Sequence, residues 1–79
     1  MKFTVYSKSG CPYCDKVKKV LELTELQHIV QVLDQDFTKE EFYSKFGDQS
    51  TFPQVVLNDN VNLGGCTDTV KFLKENQII

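Results

Sequence analysis

The sequence predicts an α/β fold in which a four-stranded mixed sheet carries three helices, in the order β-α-β-α-β-β-α. Three observations predict it. Short runs rich in β-branched and aromatic residues at 2–7, 28–33, 54–57 and 61–63 read as strands. Apolar residues recur at helical spacing in the segments that begin near Cys11, Thr38 and Thr67. The strand-helix-strand opening calls for a right-handed crossover and a parallel pair, whereas the last two strands are close enough in sequence for an antiparallel hairpin.

Lys2 to Ser7 is the first strand. Phe3, Thr4, Val5 and Tyr6 place apolar or β-branched side chains on both faces, as an interior strand requires. The Lys8-Ser9-Gly10 turn ends it. From Cys11, the residues Val17, Val20, Leu21 and Thr24 fall at i, i+3, i+4 and i+7, while Asp15, Lys16, Lys18, Lys19 and Glu22 take the other face. The result is an amphipathic helix with both cysteines in its first turn. A break near Leu23 to Gln27 leads into the second strand, His28 to Leu33.

Thr38 is the expected N-cap of the second helix, with Glu41 as its capping-box partner and Phe37 and Phe42 placed as a hydrophobic staple. Phe42 and Phe46 share one face, and Gly47 is a natural stop. Gln54 to Leu57 and Val61 to Leu63 flank Asn58-Asp59-Asn60, residues that tolerate the positive φ of a tight turn. Gly64-Gly65 breaks the last strand. Thr67 or Asp68 is then expected to cap a third helix that buries Val70 and Leu73 and turns Lys71 and Lys74 to solvent.

At 79 residues the chain is expected to form one domain, 1–79, near the lower size limit for a self-sufficient core. Apolar residues make up 41%, charged residues 25%, and the formal charge is -2, all ordinary for a globular domain. No basic stripe with interleaved aromatics points to nucleic acid. No stretch approaches the roughly 18 to 20 apolar residues of a membrane span, and Met-Lys-Phe-Thr-Val-Tyr lacks the apolar region of a signal peptide. The expectation is a cytoplasmic monomer. Three cysteines, an odd number without framework spacing, argue against a secreted disulfide scaffold.

The cysteine pair lies in Lys8-Ser9-Gly10-Cys11-Pro12-Tyr13-Cys14. A thiol reacts as its thiolate, and the unpaired N–H groups and positive dipole end of a helix start favour that anion at Cys11. Pro12 fits the first helical position, where its missing N–H is not needed. Lys8 and Lys16 add positive potential if they are not simply solvated. Cysteines three apart in a helical first turn have Cα atoms about 5 to 6 Å apart, within disulfide range. So short a loop removes little unfolded-state entropy, so the pair suits exchange better than stapling, with Cys11 exposed and Cys14 one turn behind it. The alternative is zinc, since three cysteines and His28 form a Cys3His set, but zinc sites usually repeat their close ligand pairs. His28 is read as a surface or half-buried strand residue.

Cys11-Pro12-Tyr13-Cys14 at a helix start, Thr51-Phe52-Pro53 leading into a strand, and Gly64-Gly65-Cys66-Thr67-Asp68 before the last helix together resemble the glutaredoxins. The match runs in the right order over essentially the whole chain. The resemblance implies the minimal thioredoxin fold and a glutathione-dependent thiol-disulfide oxidoreductase. In it Cys11 is the nucleophile and Cys14 resolves the mixed disulfide. No metal and no tightly bound cofactor are implied; glutathione is the reducing co-substrate, and disulfide-containing or glutathionylated proteins are the partners.

The same resemblance implies a glutathione site. A cis bond before Pro53 becomes more expected than the few per cent typical of X-Pro bonds, and Thr51 and Phe52 lie where backbone groups pair with the glutathione chain. Thr67 and Asp68 receive its γ-glutamyl end, the helix start favouring the carboxylate and Asp68 the ammonium, with Gly65 and the backbone of Cys66 in the same site; plain helix capping would explain Thr67 and Asp68 equally. Lys8 resembles the lysine that meets the glycine carboxylate, and Tyr13 a wall of the groove. Cys66 is expected to be a small groove residue with an unreactive thiol. Two departures stand out: Phe52 where the family usually has an aliphatic residue, and Gln49-Ser50 where many relatives have an arginine.

Two alternatives stay open. One is a dedicated protein electron donor, for example to ribonucleotide reductase, recharged by a reductase. The other is an iron-sulfur carrier in which two chains hold a cluster through Cys11 and external glutathione, a reading that Pro12 disfavours by analogy with the family. Lys16, Lys18 and Lys19 are most simply a solvated helix face, with attraction of acidic partners as the functional alternative.

Overall fold

A computed structural model describes all residues, Met1–Ile79. Its elements follow the expected order: β1 (Lys2–Ser7), α1 (Pro12–Leu23), β2 (Gln27–Val32), α2 (Lys39–Phe46), β3 (Gln54–Leu57), β4 (Val61–Gly64) and α3 (Cys66–Glu75). The strands form one sheet in the order β2-β1-β3-β4. β1 runs parallel to β2 and antiparallel to β3, and β3 antiparallel to β4. β1 is central, which explains why it is apolar on both faces.

The pleat divides the molecule into two layers around the sheet. On one face Phe3 and Val5 of β1 and Val55 and Leu57 of β3 pack with Val17 and Leu21 of α1 and Cys66 and Leu73 of α3 in one core. On the other, Tyr6 meets Phe37 and Phe46 edge-on at 5.3 and 5.1 Å, joining α2 to the sheet. The staple at the start of α2 forms as expected, with Phe37 and Phe42 stacked at 5.9 Å. So does the capping box: the Glu41 N–H donates to Thr38 Oγ1 at 3.1 Å and the Thr38 N–H to Glu41 Oε1 at 2.9 Å.

The hairpin turn has φ of +53° at Asn58 and +65° at Asp59, which side chains of this type tolerate best. Three boundaries differ from expectation. β2 begins at Gln27 and ends at Val32; Leu33 instead donates its N–H to the Ser7 carbonyl at 2.9 Å and bridges to Phe37. β4 extends through Gly64, which pairs with Val55 across a register shift. The N-cap of α3 is Gly65, neither Thr67 nor Asp68. Asp68, three residues on, reaches back and accepts the Gly65 N–H on Oδ2 at 3.2 Å, so its carboxylate still stabilises the helix start. No helix is long and apolar enough to cross a membrane.

Candidate active site

Cys11 is the N-cap of α1, in extended conformation (φ -110°, ψ 104°), and Pro12 begins the helix. Gly10 before it turns the chain with φ +69°, a left-handed conformation with open space around it. Cys11 and Cys14 are joined in a disulfide with Cα atoms 5.2 Å apart, inside the separation expected from the helical first turn. The Cys14 N–H donates to Cys11 Sγ at 3.1 Å. This sulfur occupies the place of the oxygen in a serine or threonine N-cap, so one of the free donors of the helix start is aimed at it.

The expected exposure of Cys11 is not found. It is 6% exposed and Cys14 is fully buried. Tyr13 between them stands out into solvent, 60% exposed. His28 is half-buried with Nδ1 2.8 Å from the Leu26 carbonyl, and no three His, Cys, Asp or Glu side chains converge in a metal-holding cluster.

Three separate segments meet in a groove of about 270 Å³ that Tyr13 borders. Thr51, Phe52 and Pro53 form one side and Gly65, Cys66, Thr67 and Asp68 the other. The peptide bond between Phe52 and Pro53 is cis, as expected from the motif. Gln54 and Gly64 also line the groove and were not anticipated. Gly64 carries a detectable signal in hindsight: its φ is +102°, and a Cβ there would lie 2.5 Å from Asp68 Oδ2. The Gly64-Gly65 pair therefore permits both the backbone turn and the close approach of the Asp68 carboxylate, beyond ending a strand. Gln54 carries no such signal; its amide donates to the Thr51 carbonyl at 2.9 Å and braces the loop.

Lys8 does not line the groove. Its ammonium lies 5.4 Å from the centroid of the Phe52 ring, a cation-π arrangement. The unusual Phe52 is explained by what lies beneath it: its ring stacks on Phe42 at 4.1 Å and 11°, and on Phe37 at 6.2 Å. Phe52 thus extends the aromatic layer under α2 while it also lines the groove. Neither Gln49 nor Ser50 lines the groove; the Ser50 hydroxyl donates to the Phe46 carbonyl instead. Cys66 is the first residue of α3 and is buried, which pushes its thiol pKa up, while the nearby Lys16 ammonium pulls the other way.

Comparison with known proteins agrees with this geometry. The glutaredoxin family model matches residues 3–61. Glutaredoxin 1 of Rickettsia prowazekii is 36% identical over 77 residues, covering 94% of this chain and 79% of that protein. Glutaredoxin 1 of Escherichia coli is 31% identical over 83 residues, with 96% of each chain covered. The solution structure of reduced Escherichia coli glutaredoxin superposes with a TM-score of 0.82 at 28% identity, over the full length of both chains. A matching family model over most of the chain, a shared fold and a Cys-x-x-Cys pair at disulfide distance lead to one conclusion: the chain belongs to the glutaredoxin family, whose members are thiol-disulfide oxidoreductases.

Proposed function

We propose that this protein is a glutathione-dependent reductase of protein disulfides and glutathione mixed disulfides. Cys11 is its nucleophile and Cys14 its resolving thiol. The observation that carries the proposal is the Cys14 N–H aimed at Cys11 Sγ at the start of α1, beside a groove bordered by Tyr13. In the reduced enzyme the same N–H and the helix dipole favour a thiolate on Cys11.

The cycle balances as follows. The Cys11 thiolate attacks one sulfur of a substrate disulfide, forming a mixed disulfide and releasing the other sulfur as a thiolate. Cys14 loses its proton and attacks Cys11 Sγ, which closes the Cys11-Cys14 disulfide and releases the second substrate thiol. Cys14 is fully buried whereas Cys11 keeps a small exposure, which favours Cys11 for the attack on substrate and Cys14 for this internal step. One glutathione thiolate then attacks Cys11, forming an enzyme-glutathione disulfide and freeing Cys14; a second removes the first as oxidised glutathione. A nucleophile that forms a stable thiolate is also a good leaving group, which favours this last step.

Glutathione is read as lying along the groove. Backbone groups of Phe52 pair with its chain. The N–H groups opening α3 at Cys66 and Thr67 receive its γ-glutamyl carboxylate, and Asp68 its ammonium. Tyr13 forms a wall, and Lys8, raised on the Phe52 ring, meets the glycine carboxylate from outside the groove. The setting is a reducing cytoplasm, and the working form a monomer.

The test is the Cys14→Ser variant mixed with oxidised glutathione and measured by intact mass. One glutathione adduct on Cys11 is expected, with turnover of glutathione mixed disulfides retained and reduction of protein disulfides lost. No adduct, or an adduct confined to Cys66, refutes the proposal.

A further inference from the structure

Three lysines without a carboxylate partner gather in a cleft that shares Tyr13 with the groove. Lys16 of α1 and Lys71 and Lys74 of α3 line a cleft of about 380 Å³ between the two helices, with Val70 as part of its apolar lining and Glu75 as its one carboxylate. The single ion pair of the molecule, Lys18 with Asp15 at 3.4 Å, involves none of them. The chain as a whole carries a formal charge of -2, so the cleft reverses the sign of the protein's charge locally. Like charges held together repel one another, and an anion seated among them relieves that repulsion.

The cleft adjoins the groove at Tyr13, which lies between the two cysteines of the dithiol in the chain. Tyr13, Cys66 and Thr67 line both it and the groove. We propose that the cleft docks an acidic segment of the protein whose disulfide is reduced. The proposal rests on the dithiol function of Cys11 and Cys14 and does not depend on glutathione as the reductant. Lys71 and Lys74 lie four and seven residues beyond Thr67, about 6 and 10 Å along α3 at about 1.5 Å per residue. An extended peptide advances about 3.3 Å per residue. With the attacked cysteine level with Thr67, carboxylates about two and three residues away come level with the two lysine positions. During docking the dithiol gives two electrons and two protons to the substrate disulfide, leaving two substrate thiols and the Cys11-Cys14 disulfide.

The full chain, reduced with dithiothreitol and freed of it, is mixed in single turnover with two peptides. They contain the same intramolecular disulfide, flanked at those positions by glutamates in one and glutamines in the other. The glutamate peptide is expected to react about tenfold faster at low ionic strength, as two exposed charge contacts allow, and the ratio to fall toward one in high salt. The K71E/K74E variant should lose or invert the preference while its rate on the glutamine peptide is unchanged. Equal rates for the two peptides in the unaltered protein, or a preference that survives in K71E/K74E, overturns the proposal. So does a variant whose peptide preference is intact but whose KM for glutathione rises, since the cleft would then take glutathione. The single-turnover assay contains no glutathione, so failure of glutathione dependence in the Cys14→Ser experiment leaves its outcome readable.

Discussion

Asp68 has two assignments that a single substitution separates. Its Oδ2 accepts the Gly65 N–H at 3.2 Å, and its charge sits in the first turn of α3, beside the groove. Asp68→Asn keeps an oxygen able to accept that hydrogen bond and removes only the charge. For the fold, the loss is the attraction to the helix dipole, about 0.5 kcal/mol at an exposed site. At about 4 to 8 °C per kcal/mol for a domain of this size, the melting temperature should fall by about 2 to 4 °C. For glutathione, the loss is an exposed ion pair of up to about 1 kcal/mol, or about a fivefold rise in KM. Asp68→Ala removes the Gly65 bond as well and should fall by about a further 1 kcal/mol in stability, with a similar effect on KM. The assays are thermal melting followed by circular dichroism and steady-state turnover of a glutathione mixed disulfide at varied glutathione. A melting temperature that falls as expected with an unchanged glutathione KM would reduce Asp68 to a helix cap and refute its part in the glutathione site.

Two further outcomes test the packing around the site. Phe42 is 1% exposed and stacks on Phe52 at 4.1 Å, so Phe42→Ala should open a cavity costing about 3 to 5 kcal/mol in urea denaturation, and an effect under about 1 kcal/mol would show that the aromatic layer is not a packed core. Burial raises the Cys66 pKa above its ordinary value of 9.0, so its thiol should resist iodoacetamide at neutral pH in the oxidised protein, as read by intact mass; rapid single alkylation there would refute its burial. Because the folded pKa is the higher one, the stability from keeping this thiol protonated is present in full below the unfolded value and is lost as pH rises through the folded value. The decline above about pH 9 should therefore be shallower in Cys66→Ala than in the unaltered protein, by urea titration across that range.

The elements that the sequence specified well are those with local causes. The α2 start was legible because Thr38, Glu41, Phe37 and Phe42 make their contacts within five residues of one another. The first turn of α1 was legible for the same reason, since the Cys11-Cys14 spacing is set by one helical turn. The cap of α3 lies two or three residues before the position expected from the sequence. The Gly65 cap has no side chain to announce it, and Asp68 serves the helix from its third position and not as the cap.

The sequence by itself determined the order of elements, the dithiol and the three motifs that border the groove, because periodicity, capping and turn chemistry act over a few residues. Tertiary structure alone decided that Lys8 rests against Phe52 and not in the groove, and that Phe52 belongs to the aromatic layer of α2. It also brought Lys16 beside Lys71 and Lys74. Those residues are separated by ten or more positions in the chain, and only the packing of α1, α2 and α3 against a shared sheet sets their distances.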